Sequence, residues 1–299
     1  PRLKVPGDDL CPPRARANVI REVLTNGFDA KSSLFGSPEL QRMLDSCLAC
    51  KGCLSECPSN VDMTKLRSEI LQQRYDRFGT PLRTWMVARM SWFESLGAAV
   101  RPLYNFFASW KPSATLIKRI VRFSADRQIP RLSRFSMRKL GAREPSGNGP
   151  KVYLFADEFT NHQEAELGLT FARLLTRLGY SVEIPRHTES GRAPISKGCL
   201  KLAKKYAVKN VTLLADLISE GTPLVGIEPS CILSFRDEYP DLVPPEMREK
   251  VRKLAANCLL FDEFIVREVA AGRISAGAVR GNGASFFFPR RAHLLTTCK

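Results

Sequence analysis

Apolar positions recur at helical spacing through the first quarter of the chain, fade into a basic stretch, and past residue 150 return as short apolar runs between amphipathic segments. Arg14 to Leu24 reads as a helix. Met63 to Arg74 reads as a second, starting after the capping sequence Asn60-Val61-Asp62 and setting Leu66, Ile70 and Leu71 on one face. Residues 77 to about 144 are cut by Pro81, Pro102, Pro112 and Pro130 into short helices, too interrupted for a compact domain of their own. The stretch Glu144-Pro145-Ser146-Gly147-Asn148-Gly149-Pro150 is dense in turn formers and marks a linker.

Beyond the linker, Val152 to Ala156 suits a buried strand, His162 to Leu178 an amphipathic helix closed by Gly179, and Ser181 to Pro185 a second strand. Lys197 to Glu220 reads as helix, Leu224 to Ile227 as a third strand, and Glu246 to Ala271 as another long helical pattern. Strands spaced by helices of this length imply parallel pairing in an open α/β layer. The expected fold class is α plus α/β in three parts: a small all-helical domain over residues 1–76, a helical connector and linker over 77–150, and an α/β domain over 151–299.

A chain of 299 residues with 44% apolar content can bury a core. The N-terminal residues carry no apolar h-region and no stretch approaches 18 uninterrupted apolar residues, so neither a signal peptide nor a membrane span is expected. Nine cysteines, five of them before residue 60, make poor material for a secreted disulfide framework and point to a reducing, cytoplasmic setting. The net charge of +16 is concentrated: Arg77 to Arg143 holds fourteen Lys or Arg against Glu94 and Asp126. Trp85, Trp92, Phe93, Tyr104, Phe106, Phe107 and Trp110 are interleaved with it. Such a stretch is a solvated helical connector, a peripheral contact for the inner face of a membrane or an acidic partner, or, least in keeping with the rest of the chain, a nucleic-acid surface.

The densest chemistry is Cys47-Leu-Ala-Cys50-Lys-Gly-Cys53-Leu-Ser-Glu-Cys57-Pro58, a gapless match to the CxxCxxCxxxCP run of bacterial ferredoxins. Three cysteines at this spacing can wrap three thiolates around one cubane, with Gly52 easing the tight path, and the cysteine before proline turns to another cluster. Cys57 is therefore expected on a second [4Fe-4S] cluster, and Cys11, in a second Cys-Pro pair, is the candidate fourth ligand beside Cys47, Cys50 and Cys53. The competing reading is a zinc site, although structural zinc normally takes two CxxC pairs across a longer loop. Cys199 and Cys258 fall in helical patterns and read as core residues. Cys231, in Gly226-Ile-Glu228-Pro229-Ser230-Cys231, follows the third strand, where α/β sheets place sites. Cys298 stands too near the end to interpret. His162, His187 and His293 form no metal spacing and are expected at the surface or as caps. Asp157 and Glu158, after the first strand, suit either a crevice lining or a helix start. No GxGxxG or P-loop marks a nucleotide or flavin site.

With these residues in hand, the chain resembles the C-terminal, iron-sulfur half of FAD-linked oxidases of D-2-hydroxy acids, of the D-lactate and D-2-hydroxyglutarate dehydrogenase type. It is also similar to the glycolate oxidase iron-sulfur subunit and the anaerobic glycerol-3-phosphate dehydrogenase small subunit. The resemblance rests on Arg14-Ala-Arg16-Ala-Asn18 with Arg21-Glu22, Cys47 to Met63, Val152 to Asn161, and Glu189-Ser-Gly191-Arg192 through Cys231. It implies a ferredoxin-type [4Fe-4S] domain followed by a cysteine-rich domain of the Cys-Cys-Gly kind, with Cys231 and Glu228 as its candidate site residues. It further implies FAD in an upstream domain or partner, electrons relayed to a further acceptor, and a chain that is a fragment, not catalytic alone. Three cysteines expected ahead of Cys11 are absent, and Leu294-Leu-Thr-Thr-Cys298 echoes the later Cys-Cys-Gly motif only faintly. The reading from another class is a zinc-stabilised basic module that binds nucleic acid or an anionic surface through residues 77–143.

Overall fold

The computed structural model describes residues 13–26, 33–121, 123–141 and 147–275. By chain order the elements are α1 (Pro13–Asn26), α2 (Pro38–Asp45), α3 (Gly52–Glu56), α4 (Met63–Phe78), α5 (Leu82–Ala88), α6 (Met90–Gly97), α7 (Arg101–Ser109), α8 (Lys111–Val121) and α9 (Met137–Gly141). There follow β1 (Lys151–Phe155), α10 (Glu158–His162), α11 (Ala165–Arg177), β2 (Ser181–Glu183), α12 (Arg192–Ser196), α13 (Leu200–Leu214), β3 (Leu224–Gly226) and α14 (Pro229–Ile232). The last elements are α15 (Ser234–Asp237), α16 (Tyr239–Leu242), α17 (Arg248–Ala256), β4 (Cys258–Leu260) and α18 (Phe261–Ala270). Contacts divide the chain at Trp85 and Met86 into two units, and Pro194–Lys201 belongs with the first. The divisions at 76/77 and 150/151 expected from composition are thus not the divisions of packing.

In the first unit α1, α2 and α4 enclose a small core of Val19, Ile20, Val23, Phe35, Leu40, Leu44, Ile70 and Leu71. Asp62 caps α4, accepting from the backbone N–H of Thr64 at 2.8 Å and of Lys65 at 3.1 Å, which stabilises the start of the helix. Pro194–Lys201 lies along α4: the Ser68 hydroxyl donates to Ile195 O, the Tyr75 hydroxyl to Lys197 O, and Lys201 Nζ meets Asp76 at 2.6 Å. Gly198, at φ +70°, brings its backbone so close that a Cβ would stand 2.4 Å from that of Leu71.

In the second unit the four strands pair in parallel, in the order β2-β1-β3-β4. Their alternation feeds two cores. Tyr153, Phe155, Leu224, Cys258 and Leu260 face α13 and the helices α14 to α17, and Val152, Leu154 and Val225 face α9, α11 and α18. β4 overturns the expectation of one helix over 246–271: Asn257 ends α17, three residues form a strand, and α18 begins at once. With no Gly or Pro at the break, the periodicity of the flanking helices hides so short a strand. The expected helix from Lys197 starts only at Leu200, after the turn at Gly198, and the one from His162 is split, with His162 ending α10 instead of opening a helix. Pro102 and Pro112 sit in the first turns of α7 and α8, where a missing N–H costs nothing, so they begin helices.

Candidate functional site

The cysteine run joins α2 to α4 through the single turn α3. Its backbone is unusual: Ala49 at φ 56°, Lys51 at φ 59° and Asn60 at φ 51° all take the left-handed region without being glycine. Such positions each cost on the order of 1–3 kcal/mol and persist where the surroundings require them. Gly52, expected to be needed for the tight path, is not the strained residue, because a Cβ there would meet Cys50 Sγ only at 3.7 Å.

All four thiols of the run are free and half-buried. Burial raises the pKa of Cys53, the N–H of Met63 at the start of α4 lowers it, and the thiols of Cys47 and Cys50 are near enough to raise it again. Cys57 differs, because the N–H groups of Val61, Ser59 and Asn60 bond its sulfur and hold its pKa below the ordinary thiol range. The fold thus groups Cys47, Cys50 and Cys53 and turns Cys57 onto a nest of amides. These are the residues that could hold a metal, although among the described residues no three His, Cys, Asp or Glu side chains already converge on one metal position. Cys11, Cys298 and His293 lie outside the described residues.

A second cluster of polar groups occupies the carboxyl edge of the sheet. From β1 the chain reaches β2 on one side and, later, β3 on the other, so the switch point of the sheet falls between β1 and β3. Asp157 and Glu158 follow β1; Glu228 and Cys231 follow β3. Asp157 stands at a helix start and is itself the cap, a role the sequence suggested for Thr160 or Asn161: it accepts from the N–H of Phe159 and of Thr160, both at 2.9 Å. Glu228 caps α14, accepting from the Ser230 hydroxyl at 2.7 Å. Glu158, 2% exposed, accepts from the N–H of Ser190 at 3.0 Å and its hydroxyl at 2.7 Å. Burial, and after it the neighbouring Glu189, push the Glu158 pKa up to about 7. Cys231 is wholly buried in the core below, its pKa pushed well up by that burial and then by Glu158 and Asp157.

The histidines expected at the surface are buried. His187 accepts at Nε2 from the N–H of Ala156 at 3.2 Å, so its Nδ1 carries the proton and donates to Thr188 O at 2.7 Å. Burial and the neighbouring Arg138 lower its pKa to about 3. His162 is lowered to about 4 in the same way. Arg138 donates to Ala156 O at 3.2 Å, and Glu94, pushed up to about 7 by burial, accepts from Gln163. Arg138 and Glu94 gave no sequence signal as site residues, and Glu189 stood only within the stretch that carries the resemblance, because no local pattern says which loops meet at the edge of the sheet.

The chain is 31% identical over 217 residues to the D-2-hydroxyglutarate dehydrogenase of Pantoea ananatis, matching 68% of this chain and 21% of that protein. It is 28% identical over 232 residues to the Escherichia coli D-2-hydroxyglutarate dehydrogenase, matching 74% of this chain and 23% of that one. Against a subunit of the Escherichia coli anaerobic glycerol-3-phosphate dehydrogenase it is 25% identical over 194 residues, 62% of this chain and 48% of that protein. The chain thus spans about a fifth of the length of the D-2-hydroxyglutarate dehydrogenases it matches. No family model and no solved structure matches it. By this relatedness the chain is a homologue of the C-terminal part of the D-2-hydroxyglutarate dehydrogenases.

Proposed function

We propose that this chain is the electron-relay part of an FAD-linked oxidoreductase of D-2-hydroxy acids, carrying a [4Fe-4S] cluster on Cys47, Cys50 and Cys53. The observation that carries the reading is the backbone of residues 47–63. It spends three left-handed non-glycine residues on a loop that groups three thiols, aims the Met63 N–H at one of them, and lends the fourth three further amides. Thiolates with N–H donors directed at sulfur are what a cubane requires of a protein. In this reading the first unit is a ferredoxin-type domain and the second a cysteine-rich-type domain. Cys11 supplies the fourth thiolate, and Cys57 is free for a second cluster.

The relay needs no proton-transfer group in this chain. When bound, the cluster accepts single electrons from a flavin held in another domain or subunit, whose donor is a D-2-hydroxy acid of the lactate, glycolate or 2-hydroxyglutarate class. The protein's part is to shield the cluster, donate hydrogen bonds to its sulfurs and hold it near the flavin partner. Anaerobic purification with iron and acid-labile sulfide analysis tests this. Brown protein with about four irons per cluster, bleached by dithionite, is expected. Colourless protein containing zinc, or metal-free after reconstitution, refutes it and favours the basic binding module.

A second reading concerns location and has its own observation. On α7 and α8, Leu103, Phe106, Trp110, Leu116, Ile117 and Ile120 form exposed apolar stripes, Phe106 at 58% and Trp110 at 50%, with Arg101, Lys111, Lys118 and Arg119 beside them. Among the described residues no helix is long and apolar enough to cross a membrane. Helices of this kind lie in the plane of an anionic surface, so we assign this face to peripheral contact with the inner membrane leaflet. Co-sedimentation with vesicles containing anionic lipid, lost in Phe106→Ser/Trp110→Ser, is the expected result.

A further inference from the structure

We propose that Arg16 and Arg67 are the counter-cations of the cluster on the cysteine run and set its reduction potential. The inference rests on the iron-sulfur reading above. Arg16 on α1 and Arg67 on α4 line one void of about 10 Å³, together with Met43, Met63 and Cys47. Arg67 is 8% exposed, and its guanidinium donates through Nε to Leu44 O at 2.7 Å and through Nη1 to Ser196 O at 3.1 Å. Both acceptors are neutral carbonyls. The Nε–H of Arg16 is buried and meets no acceptor among the described residues. Among the described residues no carboxylate forms an ion pair with either arginine.

Two guanidinium groups, each with buried N–H donors and no anion opposite among the described residues, are a cost, since arginine cannot shed its proton and buried charge needs a counter-charge. The void, at about 10 Å³, is at the lower limit of what holds a water molecule. Of the residues lining it, Cys47 alone can become an anion. A thiolate there, sharing its charge with a cluster, gives Arg16 its acceptor and both arginines their counter-ion.

The consequence is electrochemical. A thiolate-ligated cluster is anionic, and an electron arriving from the reduced flavin adds one more negative charge, with no bond broken and no proton taken up. Fixed cations in a poorly screened interior favour that added charge and raise the potential.

The test uses the full chain, reconstituted anaerobically as wild type, Arg16→Leu, Arg16→Lys, Arg67→Leu and Arg67→Lys. Iron content and the midpoint potential are read by dithionite titration followed by electron paramagnetic resonance. The leucine variants are expected to keep their iron and shift to lower potential, and the lysine variants to stay near wild type. If Arg67→Leu does not fold, for want of its bonds to Leu44 and Ser196, Arg16→Leu decides, because its Nε bonds no acceptor among the described residues. Unchanged potential in iron-loaded Arg16→Leu overturns the proposal and leaves the iron-sulfur reading standing. Wild-type protein that takes up no iron overturns both.

Discussion

The two units treat the same residue in opposite ways. In the helical unit Cys47, Cys50, Cys53 and Cys57 stand half-buried on a loop, with backbone amides directed at two of the sulfurs. In the α/β unit Cys231 and Cys258 are wholly enclosed by apolar side chains, and burial drives both thiol pKa values up. A cysteine is made a ligand by access and by N–H donors that welcome the thiolate; without them it is a small apolar filler. The contrast teaches that the count of cysteines says little until each is placed.

Substitution breaks the contrast most directly. Cys50→Ala or Cys53→Ala is expected to abolish iron uptake in a reconstitution assay, while Cys258→Ala retains wild-type iron; equal retention by all three would erase the distinction. Phe235, fully buried against Phe155 and Tyr239, tests the other side. Phe235→Ala should lower the stability of the α/β unit by about 3–5 kcal/mol in urea melts, the usual cost of emptying an aromatic core site, without loss of iron.

Acidity sharpens the contrast, because the buried carboxylates and histidines described above belong to the α/β unit. Glu158 and Glu94, with pKa raised from 4.5 to about 7, bind protons more tightly when folded, so their contribution fades as pH rises through that window. His187 and His162, lowered from 6.5 to about 3 and about 4, act in the opposite direction, and stability is lost as pH falls below 6.5. Glu268, lowered to about 2 by hydrogen bonds from Arg273 and Tyr180 that outweigh its burial, adds to the acid loss. Urea midpoints followed by far-ultraviolet circular dichroism should therefore be level between about pH 4.5 and 6.5 and decline on both sides, more steeply on the acid side. A steady fall with rising pH across that range would contradict the buried placement of both histidines, and a steady rise the raised pKa of both glutamates. The smallest effect is expected from Asp62→Ala, about 1 kcal/mol for the lost cap of α4, read as a lower melting temperature of the iron-free chain.

Much of this was legible beforehand, and the gaps have physical causes. The capped start of α4 at Asp62 and the strands at 152 and 224 announce themselves by local chemistry, and the cysteine run by spacing alone. β4 does not, because three residues between helices carry no period of their own. The burial of His162 and His187 and the grouping of Glu94, Glu158 and Glu189 depend on which loops meet at the edge of the sheet, and no window of sequence contains that. Gly52 reads as the residue that eases the cysteine loop's path, but the left-handed positions fall on Ala49, Lys51 and Asn60, since a local rule names the residue that tolerates such a backbone and not the one that must adopt it.

The segment Pro194–Lys201 bears on the order in which the molecule comes into being. Arg67 and Ser68 find their partners in Ser196 and Ile195, more than 120 positions further along the chain. A ribosome making this protein releases the cysteine run long before it makes the residues that complete the packing of α4. Loop closure over such a span is slow compared with the formation of a helix. The nascent helical unit must therefore wait, with α4 and the cysteine run exposed on that side until the chain has been made past Lys201.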